Sequence, residues 1–321
     1  GRVLRRTFMA APVLARALKL LSPLNWAAQR SDIDLMIFPG TSAEVSYYPG
    51  RSLFAFTDIC HLFYPEFPEL SANGELRRRS VLFRRGVAAA DQIVVESEQL
   101  REDVVRHYGG DPSRIAVLPQ TMSRTLLRVE PNVSDAQVES FRSSLPASYI
   151  FYPAQLWAHK NHARLFESLR LLLPQFPHLH LVLAGSRQLG DEAIFARVEE
   201  LGLTERVRWL GYVDDQFMPV LYRNAEALVM PTFLGPTNIP TLEAFHYGCP
   251  AIISDFPGVR EQTSDAALLF DPKSPEAIAA QVRLLMLDPE LRQQLVQRGA
   301  ERSRVLGYKP YLERLFPILD A

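Results

Sequence analysis

Cysteine is nearly absent: Cys60 and Cys249 are the only two in 321 residues. Two thiols so far apart make neither a disulfide framework nor a zinc cluster, which favours a reducing compartment. No run of about 18 uncharged apolar residues occurs, so no segment reads as a bilayer-spanning helix. Net charge is almost missing as well, at −1 from 35 Lys+Arg against 36 Asp+Glu. That excludes a generic polyanion binder, and we expect no nucleic-acid partner. No GxGxxG follows a predicted strand, which argues against a nicotinamide dehydrogenase. A hydrophobic fraction of 47% and a charged fraction of 22% exclude a collagenous, low-complexity or largely disordered chain.

Charge is unevenly spread. Residues 1–125 carry 16 basic and 13 acidic side chains, and residues 126–321 carry 19 and 23. Six basic residues and no acid fall within 1–30, and RRRSVLFRR (77–85) adds five arginines. The opening GRVLRRTFMAAPVLARALKLL is helical in pattern, but Arg16 and Lys19 interrupt the apolar core a signal peptide needs. It reads as a retained amphipathic segment, either an ordinary surface helix or one leaning on anionic lipid head groups.

Short β-rich apolar runs alternate with helical stretches. They fall at 33–38, 52–58, 92–97 and 115–119, then at 149–154, 179–185, 207–211, 227–231, 250–254 and 267–270. Strand–helix alternation predicts parallel sheets with helices on both faces. Pro, Ser and Asn gather around 131–148, predicting a linker with one short helix from Asp135 to Leu145. We therefore expect two Rossmann-like α/β domains facing a cleft. The first (1–126) reads as short, with about four strands, and lacks a first strand–turn–helix unit. A linker (127–147), a fuller second domain (148–305) and a C-terminal helix (306–321) follow.

Two strand–loop–helix corners carry chemistry. In ALVMPTFLGPTNIPTLEAFHYGCPAIIS (227–254) a buried strand ends at Met230-Pro231 and a helix starts near Pro240, where a missing amide is no loss. A loop running from a strand's carboxyl end into a helix N-terminus offers free N–H groups and the positive dipole end to an anion. Glu243, one turn in, has the two acceptors needed to hold a vicinal diol. The plainer alternative is a structural corner with Glu243 as a first-turn acid. In YPAQLWAHKNHARLFESL (152–169), Lys160 lies in the loop as a mobile point charge for phosphate, and Asn161 reads as an N-cap. In TDICHLFYPEF (57–67), Asp58 and His61 follow a strand at its carboxyl end. There they are candidates for acid–base work or for orienting hydroxyls, with a buried structural histidine as the alternative. His162, His178 and His180 read as structural or surface residues, with no metal-ligand spacing.

The ordered set PAQLWAHKNH, LHLVLAGS, VRWLGYVDDQFMPVLYRNAEALVMPT, GPTNIPTLEAF, GCPAIISD and PGVREQTSDAALLFDP resembles family-4 retaining glycosyltransferases of the GT-B fold. The likeness covers about 32–321 and is strongest over 149–272. The GPTN loop resembles members that build O-antigen and surface polysaccharide, mannosyltransferases among them. The resemblance implies transfer of a hexose from a nucleoside diphosphate sugar, GDP-mannose favoured, to a glycan or lipid-linked glycan hydroxyl. It implies retained configuration, no cofactor and no metal. Lys160 would hold the diphosphate, and the amides of Thr237, Asn238 and Ile239 would cap it. Glu243 would bind ribose hydroxyls. Gly211, Tyr212 and Val213 would border the base, and Ser186 would line the cleft.

The chain departs from that pattern at three places. Gly235 stands eight residues before Glu243, where a glutamate is usual. Gln155 stands five before Lys160, where an arginine is frequent. Thr57-Asp58 stands where a His-Asp pair is common. Contacts at Gln155 and Gly235 are therefore expected to differ from the usual donor contacts. A non-catalytic GT-B-like subunit that stabilises an active transferase is the alternative function. The expected location is cytoplasmic, at the inner face of the cytoplasmic membrane, with residues 1–30 and 77–85 as a peripheral contact.

Overall fold

The computed structural model describes residues 22–40, 42–122, 133–188, 192–235 and 238–320. The opening amphipathic segment, up to residue 21, lies outside the described residues. The described residues form ten strands, at the places where the apolar runs fall. They are β1 (Met36–Pro39), β2 (Ser52–Ala55), β3 (Gln92–Val95), β4 (Ile115–Val117), β5 (Tyr149–Pro153), β6 (His180–Ala184), β7 (Val207–Trp209), β8 (Ala227–Met230), β9 (Ala251–Ser254) and β10 (Ala267–Phe270). Two parallel sheets result. One has four strands in the order β1-β2-β3-β4, and the other has six in the order β10-β9-β8-β5-β6-β7.

The chain divides into two compact units, one of residues Gly1–Pro119 with Leu312–Ala321, the other of Gln120–Tyr311. In the second unit β8 and β9 are buried along their whole length, and β5 and β6 at four of five positions each. Such continuous apolar runs are what a sheet covered by helices on both faces requires. Phe151, Leu165, Leu181, Leu228, Ile252 and Val282 belong to that core. In the first unit β1 and β3 alternate between buried and partly open positions. Its smaller core gathers Phe54, Phe56, Phe83, Ile93 and Val104.

The linker helix forms as Asp135–Ser143, started by a reciprocal capping box between Ser134 and Gln137. Its Phe141 ring packs 4.6 Å from Phe217. The last helix, Tyr308–Asp320, passes out of the second unit, and Arg51 Nη2 donates to the Leu319 carbonyl at 3.0 Å. No described helix is long and apolar enough to cross a membrane.

Candidate active site

The sheet order of the second unit reverses at β5. Chain order runs β5-β6-β7 to one side and β8-β9-β10 to the other. Consecutive crossovers leave such a point on opposite faces, so a crevice opens beyond the strand carboxyl ends. A cavity of about 240 Å³ lies there, walled by Gln155, Gly185, Tyr212, Val213, Asp215 and Glu243 among others. Gly185 is required by close approach: its φ is +148°, and a Cβ there would stand 2.3 Å from the Ala154 carbonyl oxygen. Its N–H donates to Gly211 O at 2.8 Å, and its carbonyl accepts Trp209 Nε1–H at 3.0 Å. The ends of β5, β6 and β7 are thereby stitched into one floor.

Glu243 sits on the Ile239–His246 helix, 7% exposed. The buried Tyr222 hydroxyl donates to its Oε2 at 2.5 Å. Burial pushes the Glu243 carboxyl above its usual range, the Tyr222 bond opposes this, and the nearby Asp215 charge adds to it. Tyr222 stacks on Tyr247 with ring centroids 5.8 Å apart, so the phenol is fixed before any ligand arrives.

Lys160 closes the turn Ala158–Lys160, and its carbonyl accepts from the Tyr152 hydroxyl at 3.0 Å. The preceding carbonyl, of His159, accepts the Phe233 N–H at 3.0 Å and Thr232 Oγ1–H at 3.3 Å. The loops after β5 and β8 therefore lie side by side. Asn161 does not cap the following helix with its side chain. It takes a left-handed φ of 59° instead, and its Nδ2 donates to the carbonyls of Pro231 and Pro272, both at 2.8 Å. One carboxamide ties together the loops after β5, β8 and β10.

Of the expected donor contacts, Gln155, Tyr212, Val213 and Glu243 meet at the cavity. Tyr212 is 77% exposed, and Gln155 Oε1 accepts Trp157 Nε1–H at 2.8 Å. Gly211 contributes its carbonyl to the floor. Ser186 is exposed just beyond, where its carbonyl accepts the Leu156 N–H at 3.3 Å. Gly235 takes φ +136°. Thr237 lies outside the described residues. Ile239 is 40% exposed at the first turn of its helix. Asn238 needs a correction: its main-chain N–H is not open to an anion, because it donates to Gln262 Oε1 at 3.1 Å.

The first-unit pair also differs from expectation. His61 is 0% exposed, so it lines no open space. Its Nε2 lies 3.1 Å from the Tyr108 hydroxyl, and its ring packs 5.4 Å from Phe83. Burial lowers its pKa to about 4, which keeps it neutral. Asp58 Oδ1 accepts from Cys60 N–H at 3.0 Å and from Arg79 at 3.2 Å, so this carboxylate starts the Cys60–Phe63 turn and pairs with a cation. His162 is buried beside Tyr152, with ring centroids 5.1 Å apart, and burial lowers its pKa to about 3.

Asp215, Tyr222 and Gln262 are site neighbours that sequence reasoning misses. Asp215 had a signal, since it follows Tyr212 and Val213 in YVDDQF. Tyr222 and Gln262 had none, because each meets its partner across 21 or 24 residues of chain.

Two α/β units, each on a parallel sheet, with a crevice at the second sheet's reversal point, define a protein of the GT-B fold. The sequence profile of the family described as Glycosyl transferases group 1 matches residues 134–302, more than half of the chain, and the chain belongs to that family of glycosyltransferases. It is 25% identical over 300 residues to the O-antigen chain mannosyltransferase B of Escherichia coli, covering 93% of this chain and 77% of that one. It spans less of other relatives, 57% and 58% of two that are 24% identical. Sucrose-phosphate synthase from Thermosynechococcus elongatus superposes with a TM-score of 0.78 at 19% identity, over 92% of this chain and 75% of that one. HepE of Anabaena in complex with UDP gives 0.75 at 17% identity, over 95% and 84%.

Proposed function

We propose that this chain transfers a hexose, with GDP-mannose the favoured donor, to a hydroxyl of a glycan or lipid-linked glycan in bacterial surface-polysaccharide synthesis. The anomeric configuration is retained and no metal takes part. The observation that carries this reading is the crevice at the β5 reversal point. It joins Gln155, Tyr212, Val213 and Glu243 at one cavity and sets the Lys160 turn against the loop that leads to the Ile239–His246 helix. The likeness to a mannosyltransferase of O-antigen synthesis supports the choice of donor and product.

In this reading the main physical task is stabilising negative charge on the leaving diphosphate. Lys160 supplies a cation, and the Ile239 amide with the positive end of its helix supplies oriented dipoles. Glu243 offers its second carboxylate oxygen to the ribose hydroxyls, and the Tyr212-Val213 segment borders the base. A phosphate oxygen of the departing diphosphate takes the acceptor's proton on the same face of the sugar.

Thermal-shift titration with GDP, UDP and dTDP tests this. A ligand of the folded state adds about 2.7 kcal/mol at 100 times its Kd. Lys160→Ala should abolish the shift, and a variant that keeps it whole removes Lys160 from the site. Release of GDP from GDP-mannose in the presence of a lipid-linked acceptor tests the transfer itself; no release would sink it.

The transferase works at the inner face of the cytoplasmic membrane, in the same proposal, but its basic surface is narrower than the arginine count implies. On the Glu75–Ala89 helix, Arg78 is paired with Glu75 at 2.5 Å, and Arg79 with Asp58 at 3.2 Å and Glu75 at 3.3 Å. Arg77 and Arg84 are exposed and stand seven residues apart, on one helical face. Arg77→Glu with Arg84→Glu should lower binding to vesicles containing anionic lipid, at about 1 kcal/mol per charge removed. Unchanged binding would place the membrane contact elsewhere.

A further inference from the structure

The N-cap of the Ile239–His246 helix holds an unmet donor. Asn238 is 4% exposed, and its Nδ2 has no hydrogen-bond partner among the described residues. Leaving a buried amide unpaired is destabilising, and native folds keep few such groups. Its main chain is fully engaged. The N–H donates to Gln262 Oε1 at 3.1 Å, and the carbonyl accepts Gln262 Nε2–H at 3.2 Å. Gln262 is itself anchored. Arg302, from the Pro289–Val305 helix, donates to its carbonyl at 2.8 Å and also to that of Glu261. The backbone at 238 is thus locked from both sides, and only the side chain is left to address a ligand.

The place of that side chain is set by Gly235. A Cβ built at Gly235 would stand 3.1 Å from Asn238 Oδ1 and 3.8 Å from Nδ2. The Asn238 carboxamide therefore occupies the space in which a side chain at position 235 would begin. It does so one helical turn before Glu243, at the end of the loop that packs against the Lys160 turn.

We propose that Asn238, immobilised by Gln262, reads the donor with its side chain: Nδ2 donates to an oxygen at the diphosphate–sugar end. This rests on the donor-binding reading above and deepens it. The oxygen belongs either to a phosphate or to a hydroxyl of the transferred sugar, and a neutral donor suits both. Gly235 is then part of the same device, since any larger residue there would displace the carboxamide.

Calorimetric titration of the full chain with GDP and with GDP-mannose, for wild type, Asn238→Ala and Asn238→Asp, tests the proposal. Both variants should bind GDP-mannose about tenfold or more weakly, the effect of a lost hydrogen bond to a charged or buried oxygen. If GDP weakens equally, the partner is a phosphate oxygen; if GDP is unchanged, it is a sugar hydroxyl. The melting temperature of Asn238→Ala should stay near that of wild type, because no hydrogen bond within the chain is removed. The nearly isosteric Asn238→Asp guards against a packing defect in the alanine variant. Wild-type affinity of both variants for both probes would overturn the proposal while leaving the donor-binding reading intact. A wild-type chain that binds none of GDP, GDP-mannose, UDP and dTDP would overturn both.

Discussion

The two sheets of this chain are built by one rule and differ in one respect. The six-stranded sheet reverses its order at β5, whereas β1 to β4 run in simple sequence with no reversal among the described residues. Where order reverses, neighbouring crossovers part and a ligand-sized gap opens. Where it does not, successive helices pack side by side and cover the strand ends. The side chains follow. In the second unit the residues after β5, β6 and β8 meet at a cavity, while in the first unit His61 lies buried beneath Phe83 and Tyr108. Residues of equal chemical promise in the sequence come to different ends because of strand order.

Glycine substitution tests that contrast with the largest expected effect. Gly185→Ala would drive a Cβ to 2.3 Å from Ala154 O at φ +148°, pushing apart the strands that form the cavity floor. We expect a loss of about 3 kcal/mol or more in urea unfolding, with loss of nucleotide binding. Gly109→Ala, at the end of a first-unit helix, has φ +68° and open space around it. It should lower stability by only about 1 kcal/mol. Equal losses would mean that the floor at β5 and β6 yields more readily than its packing implies.

The architecture was legible in the sequence because its signals are local. Each apolar run between helical stretches became a strand, and Ser134 with Gln137 started a helix where the linker was expected to hold one. The corners holding Lys160 and Glu243 were legible as well, since strand, loop and helix follow in order. What could not be read was which polar atoms the fold had already engaged. Asn161 has the residue type of an N-cap, yet φ 59° turns its amide towards two prolyl carbonyls, one 111 residues away. The Asn238 amide is a natural anion donor until Gln262 takes it. His61 stands three residues from Asp58, and tertiary packing alone decides that its ring points inward.

The buried histidines give the next largest effect, one in each unit. Both have folded pKa values below the ordinary 6.5, about 4 for His61 and about 3 for His162, with burial the main cause. Above about pH 6.5 each is neutral folded and unfolded, and neither affects stability. As pH falls further, the unfolded chain takes up protons that the folded chain refuses. Each histidine then lowers stability by about 1.4 kcal/mol per pH unit until its folded pKa is reached. Neither His162 ring nitrogen has a partner among the described residues, so His162→Phe should flatten the acid limb without loss at pH 7. His61→Phe should also flatten it, but with a loss at pH 7, because the Tyr108 hydroxyl gives up its ring partner. Urea unfolding at pH 7 and pH 5 separates the two, and an unchanged acid limb in either variant would show that its histidine is not neutral when folded.

The smallest effect bears on the site alone. Tyr222 donates to Glu243 at 2.5 Å from a fully buried position. That bond opposes the upward pull of burial and of Asp215 on the Glu243 carboxyl. Tyr222→Phe removes the opposition, so the carboxyl takes up its proton at higher pH. A protonated Glu243 is a poorer acceptor for ribose hydroxyls. Nucleotide affinity should therefore begin to fall at a higher pH in the variant than in wild type. A weakening of about three- to tenfold near pH 6 should shrink as pH rises. A purely packing role for the phenol would shift affinity equally at every pH, and parallel profiles would remove Tyr222 from the control of Glu243. No comparable lever acts on Asp58 in the first unit, where Cys60 N–H and Arg79 already hold the carboxylate. The same experiment thus tests the contrast between the units on a single ionisable group, in the one whose strand order opens a crevice.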